Sequence, residues 1–168
     1  MTPFIRLSTP PPKSADNFHR GHSSLRRGRV SLPGYVYLIT ATTRDRRRVF
    51  ADFRLAAVAA RSFGDNGLLG DNSLLAWVLM PDHAHWLLRL GVRTDLAGSV
   101  ARIKSGIARR VNAAGNLEGS LWSRAFHDHA MRREEDIERT AKYITHNPVR
   151  AGLVTDVGEY PFWNSVWV

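Results

Sequence analysis

The sequence predicts an α+β fold: a ferredoxin-like split βαβ sandwich, an antiparallel sheet with helices on one face, and an extra C-terminal helix. Three observations carry that reading. Four segments have the β-branched, aromatic or alternating character of strands and three carry apolar residues at helical spacing, in the order strand, helix, strand, strand, helix, strand, helix. Only Pro81-Asp82 separates the second and third strands, which makes them the arms of a hairpin. Turn residues mark the boundaries: Pro33-Gly34, then Gly64 with Asp65, Asn66 and Gly67, then the stretch 112–119.

The elements follow in chain order. Residues 35–42, Y-V-Y-L-I-T-A-T, are β-branched and aromatic and read as the first strand. Residues 50–63 read as a helix that stops at Gly64. Residues 73–80 and 83–90 are the hairpin strands. Leu96, Val100, Ile103, Ile107 and Val111 form the stripe of a second helix, with Arg102, Lys104, Arg109 and Arg110 off it and a break at 112–119. Residues 121–131 are expected as a fourth strand, and residues 134 to about 146 as a third helix whose three leading acids suit its positive end. In this topology the first and third strands are central neighbours.

A chain of 168 residues is about one domain's worth. Its apolar runs fall far short of a membrane span, and its start lacks the apolar stretch and cleavage site of a secretory signal, so a cytoplasmic protein is expected. With no cysteine, a disulfide scaffold and a thiolate zinc site are excluded. The net charge of +9 points to a polyanionic partner. That charge is concentrated at the front: residues 1–48 hold ten Lys or Arg against two acids, residues 49–168 fourteen against thirteen. Residues 1–25, with Pro10, Pro11, Pro12, Ser14, Asn17 and Gly21, have no periodicity and read as a flexible basic arm.

Chemistry is concentrated in W-V-L-M-P-D-H-A-H-W-L-L-R-L, residues 77–90. On a strand, His83 and His85 project from one face and Ala84 and Trp86 from the other. Two imidazoles so placed are half of a divalent-metal site; two histidines satisfied by hydrogen bonds at a sheet edge are the plainer alternative. On the third helix Tyr143 and Asn147 are an i, i+4 pair flanking the apolar face of Ile137, Ala141 and Ile144. A partly buried tyrosine with a C-capping asparagine before Pro148 accounts equally for that pair. In F-H-D-H, His127 and His129 form a second same-face pair.

M-P-D followed by H-A-H at 83–85, together with Y-I-T-H-N-P-V-R-A-G-L-V at 143–154, resembles the REP-associated tyrosine transposases, a single-tyrosine branch of the HUH endonuclease superfamily. G-R-V-S-L-P-G-Y-V-Y-L-I-T at 28–40 and L-W-S-R-A-F-H-D-H at 121–129 extend the resemblance over roughly residues 26–155. One departure is Ala84, where that family usually has a bulkier hydrophobe.

The resemblance implies a catalytic domain over 26–155, preceded by the arm and followed by a tail, 156–168. It implies that His83 and His85 bind Mg²⁺ or Mn²⁺, that Asn147 is a candidate third ligand, and that Tyr143 is the nucleophile on the extra C-terminal helix. The implied reaction is cleavage and rejoining of single-stranded DNA beside a REP-like hairpin, through a covalent 5′-phosphotyrosine bond. By ligand type alone, imidazole and amide suit manganese or zinc at least as well as magnesium. Nucleic-acid contacts are expected at Arg26, Arg27 and Arg29, at Arg46 and Arg47 after the first strand, and at Arg102, Lys104 and Arg109 on the second helix. His127 and His129 are expected to contact DNA or support the metal ligands, a four-histidine site being the rival arrangement. Two other functions compete: a hairpin-binding module without chemistry, and a metal-dependent hydrolase whose nucleophile is water. The expected setting is the bacterial cytoplasm, at the nucleoid when bound to DNA, with no membrane partner, as a monomer or homodimer.

Overall fold

The computed structural model describes residues 31–167, apart from Arg132 and the side chain of Glu135. The arm over 1–25 and the candidate contacts Arg26, Arg27 and Arg29 lie outside the described residues. The sheet is built outward from β1 (Val36–Thr42) and β3 (His83–Arg89), which pair antiparallel along their whole lengths. β2 (Ser73–Met80) returns beside β3 through the Pro81-Asp82 turn, β4 (His127–Ala130) lies outside β1, and β5 (Trp163–Ser165) lies outside β2. The strand order β4-β1-β3-β2-β5 makes β1 and β3 central neighbours, the split βαβ arrangement expected from the element order.

Alternation along the strands divides the apolar residues into two cores. Ala84, Trp86 and Leu88 of β3 join Tyr37, Ile39 and Ala41 of β1 beneath α1 (Phe53–Ser62) and α3 (Leu96–Gly115), which supply Leu55, Ala56, Ala59, Val100, Ile103, Ile107 and Val111. Leu87 joins Val36, Ala76, Val78 and Met80 on the other face, covered by Ala141 and Ile144 of α4 (Glu134–Thr145). The extra helix therefore packs on the face opposite α1 and α3, and the odd-numbered residues of β3 look toward it. No helix among the described residues is long and apolar enough to cross a membrane.

Element ends differ from expectation for local reasons. The helix expected from residue 50 starts at Phe53, because the Asp52 carboxylate accepts from the backbone N–H groups of Arg54 and Leu55 and caps it there. A short α2 (Asn66–Leu69), capped by Asp65, occupies the expected turn. The break expected at Asn112 comes at Asn116, whose left-handed φ of 48° ends α3 after Gly115. The strand expected over 121–131 is confined to His127–Ala130. Leu121 and Trp122 are drawn into the core at 1% and 4% exposure, and the Trp122 indole N–H donates to the Lys104 carbonyl at 3.1 Å. Residues 156–168, expected as a tail, instead supply β5 and place Phe162 in the α1–α3 core, while the Tyr160 hydroxyl donates to the Leu79 carbonyl at 2.7 Å.

Two expected phosphate contacts on α3 serve the fold instead. Lys104 is 9% exposed, and its ammonium donates to the carbonyls of Ser123, Arg124 and Ala125 at 2.7, 3.3 and 3.4 Å. It holds the segment that follows Trp122. Arg102 donates to the carbonyls of Leu68 and Leu69 at 3.0 and 2.9 Å, satisfying the end of α2. Arg109 is exposed on α3, whose packing face is opposite to the one bearing the histidines. Replacing Lys104 by Met keeps the stem and removes the donors, and is expected to cost about 2–3 kcal/mol of unfolding free energy by urea titration. The surface control Arg109→Met should cost less than about 0.5 kcal/mol; similar losses for both would show that Lys104 is not structural.

Candidate active site

β3 places His83, His85 and Leu87 on the α4 face, and the chain changes character along that row from polar to apolar. The two imidazole rings lie 4.9 Å apart, centroid to centroid, and nearly perpendicular at 83°. Each is held by its Nδ1. The His83 Nδ1–H donates to Asp82 Oδ1 at 2.6 Å, and Arg46 Nη1 reaches the other Asp82 oxygen at 3.2 Å. His85 Nδ1 is 2.8 Å from the hydroxyl of Thr40, its register partner on β1. With Nδ1 engaged in both rings, Nε2 is the nitrogen each can offer to a ligand, the arrangement that carboxylate and hydroxyl partners impose on metal-binding histidines.

Electrostatics keep His85 in a suitable state. Burial, then His83, then Arg150 push His85 down to about 3, so it is neutral near pH 7. Burial works against the charge of Asp82, but His83 and Arg46 together hold its carboxyl below the usual aspartate value. The loop that carries Arg46 is locked to the hairpin turn: Thr43 is fully buried, its N–H donates to the Asp82 carbonyl, its hydroxyl lies between the carbonyls of Arg47 and Asp82 at 2.7 and 3.0 Å, and Phe50 N–H donates to the Pro81 carbonyl. Asp45 and Arg46 adopt left-handed φ angles of 56° and 51°, and Arg44, Arg46, Arg47 and Arg48 face solvent beside the histidines. Arg47 gives one bond to the Ser120 carbonyl at 3.0 Å.

Tyr143 stands on the last turn of α4, off the buried Ala141–Ile144 stripe, and is 61% exposed. The partly buried tyrosine of the plainer alternative is not what the helix presents. Nor is Asn147 a C-cap: His146 ends α4, and Asn147 opens α5 (Asn147–Arg150), with Pro148 next to it. The one-turn α5 returns the Arg150 guanidinium over the Tyr143 ring at 3.8 Å from its centroid, and Arg150 Nη2 donates to Asn147 Oδ1. Arg150 thus contacts both the tyrosine and the asparagine.

The second histidine pair is not brought to this point. His127 lies opposite Thr40 and His129 opposite Leu38, so β1 stands between them and the His83–His85 pair, about 10 Å away at two strand spacings. Among the described residues no group of three or more His, Cys, Asp or Glu is placed to hold a metal ion, so the four-histidine arrangement is not built. Three members of the site were not singled out in the sequence. Asp82 reads as an ordinary turn residue, Thr40 is found only through the strand register, and Arg150 lies beyond the expected end of the helix.

Residues 32–147 match the family described as Transposase IS200 like, a span that runs from before β1 to Asn147. The chain belongs to the IS200-like transposase family. Among relatives, the REP-associated tyrosine transposase of Escherichia coli (strain K12) is 33% identical over 87 residues, which are 52% of this chain and 50% of that protein. A Haemophilus influenzae protein assigned to the same group is 30% identical over 98 residues, 52% of this chain and 56% of that one. The chain thus spans about half the length of the curated relatives it matches. A solved structure of a REP-associated tyrosine transposase bound to a REP hairpin superposes with a TM-score of 0.63 at 26% identity, over 81% of this chain and 79% of that one.

In this IS200-like transposase the neutral His85 has a consequence for stability. An unfolded histidine takes up a proton near 6.5 and the folded His85 refuses it until about 3, so stability falls as pH drops below about 6.5. Urea unfolding in chelator between pH 6.5 and 4.5 should show a loss of at most about 1.4 kcal/mol per pH unit from this group. His85→Gln should flatten that slope. An unaltered slope in the variant would assign the loss to other groups.

Proposed function

We propose that this chain is a metal-dependent single-stranded DNA endonuclease and strand transferase that acts beside a REP-like hairpin through a covalent 5′-phosphotyrosine. One observation carries the proposal: an exposed tyrosine at a helix end, with the Arg150 guanidinium over its ring, stands on the helix that covers the sheet face bearing two imidazoles whose Nδ1 atoms are already held. A water-dependent hydrolase would have no use for that tyrosine, and a hairpin-binding module would need neither it nor the histidines. The hairpin as partner rests on the solved relative, which is bound to one. The bacterial cytoplasm, and the nucleoid when DNA is held, are the setting for such an enzyme.

The residues fit a divalent ion: two same-face imidazoles with Nε2 on offer, an outer Asp82–Arg46 pair steadying one of them, and the Asn147 amide oxygen on α5 as the candidate third ligand. Bound there, Mg²⁺ or Mn²⁺ would supply charge to the scissile phosphate and hold its oxygens. The protein supplies the rest. α4 fixes the line along which the Tyr143 hydroxyl approaches phosphorus, so that little orientation remains to be found in solution. The Tyr143 Oη–P bond forms as the P–O3′ bond breaks; the phenol proton passes to water and the departing 3′ oxygen takes one up. The phosphodiester energy stays in the phosphotyrosine, and attack by a 3′-OH returns it in rejoining. Arg46 and Arg47, beside the hairpin turn, are positioned to accompany the strand, and His127 and His129 lie farther along the same sheet face.

The deciding experiment incubates labelled single-stranded hairpin DNA with protein and metal and resolves the products on a denaturing gel. The parent should yield an upstream fragment with a free 3′-OH and a downstream fragment joined to protein through its 5′ phosphate; Tyr143→Phe should yield neither while binding DNA within about twofold of the parent. His83→Ala, His85→Ala and EDTA should each stop cleavage, and Mg²⁺ or Mn²⁺ should restore the chelated parent. Cleavage by Tyr143→Phe, or full activity in EDTA, would be fatal to this mechanism.

The charge concentrated in residues 1–48 assigns part of the grip on the hairpin to the N-terminal arm. Deleting residues 1–25 should weaken hairpin binding and reduce its salt dependence by roughly 0.7 log unit per log unit of salt for each phosphate that the arm had neutralised. Binding isotherms at several salt concentrations measure this, and an unchanged slope would transfer recognition to Arg46, Arg47 and Arg109.

A further inference from the structure

We propose that Arg150 is a catalytic residue that binds the scissile phosphate, an inference that rests on the function proposed above. Several arginines of the fold are committed elsewhere. Arg46 pairs with Asp82, Arg110 with Asp65 and Arg139 with Asp136, and Arg102 is spent on carbonyls. Arg150 is exposed and, among the described residues, no carboxylate pairs with it. What it touches is the proposed nucleophile: the guanidinium carbon lies over the Tyr143 ring, 3.8 Å from its centroid, and one nitrogen donates to Asn147 Oδ1.

That posture divides the guanidinium between two uses. Stacking occupies its face, whereas hydrogen bonding occupies its edge, and five N–H donors lie in the edge plane. One goes to Asn147. The remaining donors lie beside the phenol, where a phosphate attacked by Tyr143 would come within their reach. A guanidinium fork matches two non-bridging phosphate oxygens, and charge grows on those oxygens as the fifth bond to phosphorus forms. A helix of one turn at the surface gains little from an arginine at its end, and the stack holds Arg150 in place before any strand enters. The same bond orients the Asn147 amide, leaving its oxygen a second lone pair.

The test uses the full chain and oligonucleotides that span the bond the parent cuts, with either the native phosphate or a methylphosphonate at that single linkage. Arg150→Ala should slow single-turnover cleavage of the native strand on the order of 100-fold, with Arg150→Lys recovering part of the loss. In the Tyr143→Phe background, which binds without cutting, Arg150→Ala should weaken the native strand about tenfold, the scale of one charge-assisted hydrogen bond. It should weaken the methylphosphonate strand less than about twofold, because the charge that Arg150 answers is gone from that strand. Equal weakening of both strands would make Arg150 a support for the tyrosine and overturn the assignment, as would cleavage at the parental rate. A parent that cuts no strand overturns this inference and the proposed function together; a parent that cuts no faster than Arg150→Ala overturns this inference alone.

Discussion

A slip of one residue between β1 and β3 would turn both imidazoles into the α1–α3 core and bring Trp86 out on the other face, since neighbouring side chains on a strand point to opposite sides. The register that prevents this sets Thr40 against His85 and Thr42 against His83. It is held at one end by Trp86, fully buried between Phe63 and Trp122, and at the other by Thr43, buried and bonded to the Asp82 carbonyl. The polar half of β3 is thus aimed by the apolar half. What makes the site accurate lies mainly on the sheet's opposite face.

Helix α4 covers only part of its face of the sheet. Ala141 and Ile144 seal it over Leu87, Val78 and Met80, while Tyr143, between them in sequence, faces away from that stripe. His146 ends the helix and Pro148 starts the next turn, so the chain doubles back and lays Arg150 on the tyrosine. A continuous helix would have carried residue 150 two turns, about 10 Å, beyond Tyr143. The break in the helix, as much as the helix, composes the site.

The histidine pair was legible because strand periodicity is two and the hairpin turn at Pro81-Asp82 fixes where counting begins. Tyr143 and Asn147 were legible as an i, i+4 pair. Arg150 was not, because the pattern that marks α4 stops before it and a one-turn helix has no periodicity of its own. Lys104 misled for a different reason. It stands four residues after Val100, beside the stripe rather than on it, and the wheel cannot show that the 121–126 segment wraps over that flank and buries it. The same wrapping removed Leu121 and Trp122 from the expected fourth strand. β5 escaped notice because three paired residues, Trp163 to Ser165, are too few to show alternation.

The short β5 has a bearing beyond the site. A sheet with an open edge is a template on which a second chain can add a strand, and long flat edges are where proteins aggregate. β2, eight residues long and largely apolar, would present such a template had Ala76, Trp77 and Val78 not been paired with Ser165, Asn164 and Trp163. On the opposite side of the sheet the outermost strand is β4, four residues of histidine, aspartate and alanine, which offers little length or greasiness to a stranger. β5 therefore acts as a stopper on the fold's stickiest border, closing the strand on which copies of the chain could otherwise zip together.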